Sequence, residues 1–231
     1  MLRVTATVVR ERRAVLQRRI RFIVAFTIAY NLIEAVIAIA AGTAASSGAL
    51  IGFGLDSVVE VLSAAAVAWQ FTRRDPERWE RPTLRVIAVA FFALAAYVSV
   101  SAVLTLTGVM APEHSTVGII LAAVSLVVMP VASLLERATG RELGSATAIA
   151  DSTQTMLCAL LSGAVLVGLL LNTLFGWAWA DSVAGVVIAV FAVREGIEAW
   201  KGDACATSVG MLMEDEHEDH ADDEHHDPHL S

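Results

Sequence analysis

The 231 residues are 56% hydrophobic and only 17% charged, with a mean hydropathy of +0.65. Soluble domains carry about 25% charged residues, so composition excludes an ordinary water-soluble fold and points to a chain dissolved in lipid. The formal net charge of −8 is local: nine of the 24 acidic residues lie between Glu214 and Asp227, and residues 1–213 carry sixteen basic against fifteen acidic side chains.

Residues 1–20 read as a basic segment, and seven Arg occur up to Arg21. No short apolar run followed by a small-residue cleavage site is found there, so the first hydrophobic stretch is expected to be a retained helix, not a signal peptide. A hydrocarbon core takes about 20 apolar residues per helix. Six windows qualify: 22–42, 45–70, 86–109, 116–135, 147–171 and 177–200. The first carries Thr27, Asn31 and Glu34 on one side, and the second holds two charges, Asp56 and Glu60. The third and fourth are the most uniformly apolar. The fifth bears Asp151, Gln154, Thr155, Cys158 and Ser162 as one stripe at helical spacing. The sixth opens on Asp181, read as its own N-cap. Trp177, Trp179 and Trp200 stand where interfacial anchors belong. Residues 202–231 form an acidic tail holding five of the six histidines; it is too polar to build a core and is expected to be disordered. Cys158 and Cys205 suggest no disulfide framework. Lone His114 reads as a surface residue.

These windows predict an all-α integral membrane protein, with a six-helix transmembrane domain over residues 21–201. The basic residues fix its expected orientation. They fall at 3–21, 73–85, 137–141 and 194–201, while the loops around Thr43, Glu113 and Gly176 hold none. With six spans, this alternation places both termini in the cytoplasm by the positive-inside rule.

Asp56 and Glu60 lie one helical turn apart, and each ionised group at bilayer depth costs about 2.5–3.5 kcal/mol on the insertion scale. No Lys or Arg lies deep inside any window, which leaves a cation or protons as their counter-charge. At about 1.5 Å per residue from the extracellular side, Glu34 and Asn31 fall about 13 and 18 Å deep, Asp56 and Glu60 about 16 and 22 Å, and Cys158 about 20 Å. Polar groups of three helices therefore meet in one layer. Carboxylates one turn apart with an opposing thiolate suit a tetrahedral Zn²⁺ site, and protons replace a metal that leaves such groups. Metal moving out against protons moving in follows if access alternates between the two sides.

The run Asn31 to Glu34, then Ser46-Ser47-Gly48-Ala49-Leu50 and Leu55-Asp56-Ser57-Val58-Val59-Glu60, resembles the first two helices of the cation diffusion facilitator transporters. Ala180-Asp181-Ser182-Val183-Ala184-Gly185 through Arg194-Glu195-Gly196 resembles their sixth helix. The resemblance covers roughly residues 20–200. It implies a divalent-metal efflux transporter of the plasma membrane, exchanging metal for protons, with no permanent cofactor and a homodimer as its assembly. Carried over position by position, it implies Asp56, Glu60, Gln154 and Cys158 as metal ligands. Gln154 and Cys158 stand where the family has His and Asp, and the thiolate tilts preference toward softer ions. Zn²⁺ is the first expectation, with Cd²⁺, Co²⁺ and Fe²⁺ open. A second departure is that only 31 residues follow Trp200, so the family's cytoplasmic α/β domain is expected to be missing.

Around the four ligands, Asn31, Glu34, Asp151 and Thr155 are expected to support the site or its pathway. His217, His220, His225, His226 and His229 are expected to capture metal in the tail. No nucleic-acid partner and no enzymatic activity are expected. An intramembrane aspartyl protease would need Asp56 and Asp151 facing each other, and they lie about 14 Å apart along the membrane normal. The competing reading is a metal-binding membrane protein that modulates a partner without transport.

Overall fold

The pattern of long apolar runs broken by short polar turns yields helices and nothing else among the described residues. A computed structural model describes the backbone of residues 2–71, 76–143 and 146–201; within these, the side chains of residues 2–14, 67, 68, 70, 71, 76–80, 143, 146–151, 153 and 154 fall outside the description. The elements are α1 (Leu2–Ala44), α2 (Gly48–Phe71), α3 (Pro76–Leu106), α4 (Thr116–Leu143), α5 (Ala146–Phe175) and α6 (Trp179–Lys201). The first helix starts well before the window at residue 22, so the basic N-terminal segment continues the first span as helix.

Among the described residues, five stretches are long and apolar enough to cross a membrane: Val15–Ala44, Gly48–Ala66, Arg81–Leu106, Thr116–Glu142 and Thr155–Phe175. The sixth helix has the length but carries Asp181, Arg194, Glu195, Glu198 and Lys201. It nevertheless runs antiparallel beside α3 along its whole course. Ser182 Oγ donates to the Ala102 carbonyl (3.2 Å) near one end, and the Arg85 guanidinium lies 5.7 Å over the Trp200 ring at the other. A helix paired end to end with a spanning neighbour occupies the same slab.

Around the bundle the helices follow the order α1, α2, α3, α6, α5, α4 and back to α1, and α2 additionally touches α5 and α6. Its four neighbours place α2 toward the middle. Small residues permit this approach. A Cβ at Gly52 would lie 2.2 Å from Val98 Cγ1, and one at Gly54 2.8 Å from Ile39 Cγ1. The outer faces carry the reverse of a soluble pattern: Phe22, Ile33, Val36, Val86 and Val127 are each more than half exposed. Such a continuous apolar exterior is what lipid solvates.

Two polar features close the Ser47 end of the bundle. Ser47 caps α2 by accepting from the Leu50 N–H at 3.1 Å, and its hydroxyl donates to Asp181. The other Asp181 oxygen accepts from the Ala49 N–H at 3.2 Å. Asp181 therefore does not act as the cap of its own helix, as its position suggested; it lies in the first turn of α6 and caps α2 instead. Sequence position identifies a capping side chain but not which helix end lies within its reach. A cap of this kind contributes about 0.5–2 kcal/mol. Below this end, Leu50, Phe53, Val98, Val165 and Ile188 from four helices form a fully packed apolar layer.

Candidate metal centre

Immediately beyond that layer, α2 turns Asp56 and Glu60 to one face because they are four residues apart. The opposing α5 presents Cys158, whose Sγ–H donates to Glu60 Oε1. One ligand atom from each of Asp56, Glu60 and Cys158 falls within 4.8 Å of the other two. Metal–ligand bonds of about 2.0–2.3 Å in a tetrahedral set separate the ligand atoms by about 3.3–3.8 Å, so modest contraction closes these three on one ion. Asp56 and Cys158 are buried and Glu60 partly so. All three line a cavity of about 20 Å³, together with Phe91, Leu161, Phe191 and Glu195. That volume is enough for about one water-sized occupant.

The first helix supports this set directly. Asn31 Nδ2 donates to Glu60 Oε2 at 2.5 Å, while buried Asn31 Oδ1 has no hydrogen-bond partner. The amide fixes one carboxylate oxygen, which directs the other toward Cys158.

Glu34 is 2% exposed and accepts from Ser57 Oγ at 2.9 Å and from Ser125 Oγ. Tyr30 and Ser125 hydroxyls are 2.7 Å apart. Since the single Ser125 proton goes to Glu34, Tyr30 is the donor in that pair. Glu34 therefore ties α1, α2 and α4 together. Thr155 Oγ1 donates to Glu136 Oε2 at 3.1 Å, a wholly buried acid of α4. Nearby, Ser133 Oγ donates to the Ser152 carbonyl at 2.5 Å. These bonds join α4 to α5.

Asp151 and Gln154 lie on α5, but their side chains are outside the described residues, as are His217, His220, His225, His226 and His229 of the tail. Sequence reasoning passed over Tyr30, Ser125, Glu136 and Glu195. The available signal for Glu195 is that neighbouring Arg194 has its own partner one turn on, Glu198, at 3.0 Å. Glu195 is turned about 100° from Arg194 around the helix, toward the cavity. Ser125 gave no signal, because a lone Ser in an apolar helix ordinarily bonds its own backbone.

A buried layer of two carboxylates and a thiol has the donor chemistry of a divalent-cation site. The comparisons with known proteins agree with that chemistry at the level of family. No curated protein matches the chain. The sequence does match the family model of the cation efflux transmembrane domain over residues 24–201, which takes in all six helices from the apolar part of α1 onward. The chain is an all-α, multi-pass membrane protein and a member of the cation efflux (cation diffusion facilitator) family of cation transporters.

Proposed function

We propose that this transporter moves a divalent metal cation, Zn²⁺ foremost, out of the cytoplasm in exchange for protons, through a site built on α2 and α5. The observation that carries the proposal is the meeting of Asp56, Glu60 and Cys158 within 4.8 Å. Gln154, one turn before Cys158 on α5, supplies the fourth donor. The exchange follows from the hydrogen bond between Cys158 and Glu60. A thiol proton bridges these two groups when no metal is bound, and a metal must displace it to reach Sγ and Oε1 together. Asn31 holds Glu60 Oε2 throughout, so the ion takes one oxygen of Glu60 rather than both. The apolar layer of Leu50, Phe53, Val98, Val165 and Ile188 closes the extracellular side. The basic ends of the helices face the cytoplasm, the membrane is the plasma membrane, and a homodimer is the expected assembly. The five tail histidines with their acidic neighbours capture metal at the cytoplasmic surface.

The test is Zn²⁺ uptake into proteoliposomes carrying the full chain with its cytoplasmic face outward. Each pH unit of lumenal acidity adds about 1.4 kcal/mol per exchanged proton, so uptake accelerates as the lumen is acidified. Zn²⁺ binding without flux contradicts transport. Flux indifferent to the pH difference contradicts exchange.

A further inference from the structure

The cavity that holds Asp56, Glu60 and Cys158 has a third chemically competent wall besides α2 and α5. Glu195 of α6 lines it, between Ala192 and Phe191 on its own helix and the α2 carboxylates opposite. Its carboxylate is not among the groups that lie within 4.8 Å of one another, so it stands back from the compact set. It is also half-buried, where Asp56 and Cys158 are buried. The Ser47 end of the cavity is blocked by packed side chains, whereas Glu195 lies toward the end of α6 that carries Arg194 and Lys201. By helical rise from the level where Asp181 meets Ala49, Glu195 lies about 21 Å along α6, deeper than Asp56 and Glu60 at about 11 and 17 Å along α2.

We propose that Glu195 is a capture carboxylate: it takes a divalent cation from the cytoplasmic solution and passes it to Asp56, Glu60 and Cys158. This rests on the metal site proposed above and extends it to α6. The physical requirement is general. A divalent ion dehydrates reluctantly, and a partly solvated carboxylate at the mouth lets it exchange water for oxygen in steps. A negative wall in a narrow cleft also raises the local cation concentration.

The role separates capture from final coordination, and the experiment reads both. In proteoliposomes containing the full chain, with Zn²⁺ as the probe, Glu195→Gln raises KM about tenfold and leaves kcat within about twofold. Glu195→Asp, which keeps the charge, stays close to the parent KM. With Co²⁺ as a spectroscopic probe in detergent, the thiolate-to-metal charge-transfer band of Cys158 persists in Glu195→Gln, because the final ligands are intact. Glu195→Ala is the second neutral variant, in case the amide disturbs folding. A neutral variant with the parent KM overturns the proposal. So does loss of the Co²⁺ band, which would make Glu195 a ligand or a structural support. Asp56→Asn run in parallel keeps the two ideas apart: if it retains saturable uptake the site itself has failed, and if it alone is inactive only the role of Glu195 has failed.

Discussion

Asp56→Asn is expected to abolish saturable Zn²⁺ uptake and to weaken Zn²⁺ binding by at least about 100-fold. Asn is nearly isosteric with Asp, so the buried position against α5 and α6 remains filled and the helix packing is undisturbed. What changes is one negative charge in a layer that lipid and packed side chains insulate from water, where electrostatic terms are least screened. Changing a residue that merely orients a metal ligand costs 10–100-fold in affinity. A group that bonds the ion directly must exceed the upper end of that range. Isothermal titration with Zn²⁺ in detergent measures the affinity, and proteoliposome flux measures transport. Parent-like values in both would mean that the ion passes elsewhere.

Cys158→Ser is expected to change which ion the protein prefers, an effect as large as the first but different in kind. A thiolate is the soft member of this donor set, and soft donors favour Cd²⁺ and Zn²⁺ over oxygen-preferring Mn²⁺. The hydroxyl of Ser keeps a hydrogen bond to Glu60 within reach but offers no anionic sulfur. Cd²⁺ affinity should fall about 100-fold, with Mn²⁺ affinity nearly unchanged. Cys158→Asp restores the formal charge with a hard oxygen, so binding recovers while the Cd²⁺/Mn²⁺ ratio stays low. Competition titrations with the three ions give the ratio directly. A ratio unaffected by both substitutions would remove Cys158 from the ligand set and leave it as a small buried apolar side chain.

The six spans and the two α2 carboxylates were legible because each stands against a uniform background. Charge in an apolar run is conspicuous, and spacing of four places Asp56 and Glu60 on one face without any knowledge of neighbours. Asn31 was legible for the same reason. Glu34 was visible as a polar residue, but its partners Ser57 and Ser125 depend on how α1 crosses α2 and α4, which no local pattern encodes. Glu136 was concealed by its neighbour Arg137, which makes the end of α4 look like a solvated boundary; the acid is in fact wholly buried and bonded to Thr155. Glu195 was concealed in the same way by Arg194 and Glu198. Asp181 was recognised as a capping residue and assigned to the wrong helix, because the α2 terminus that it serves is 132 residues away in sequence at Ala49. In each instance the local chemistry was readable and the tertiary partner was not.

These residues also suggest how a bundle of small apolar helices tolerates so many buried acids. Asp181, Glu34 and Glu136 each accept hydrogen bonds from hydroxyl groups of another helix, which fastens neighbouring helices where lipid gives no hydrophobic driving force between them. Asp56 and Glu60 differ, since they share their space with a thiol and a cavity. On the proposed function, the division separates acids that hold the bundle together from acids that bind the cation.

Zinc K-edge X-ray absorption of the metal-loaded full-length protein tests the central claim most directly. The account predicts one sulfur scatterer near 2.3 Å with oxygen or nitrogen donors near 2.0–2.1 Å, and the sulfur shell must vanish in Cys158→Ser. A zinc environment made only of nitrogen and oxygen in the parent protein, unchanged by Cys158→Ser and by Asp56→Asn, would contradict it and place the bound metal outside the α2–α5 layer.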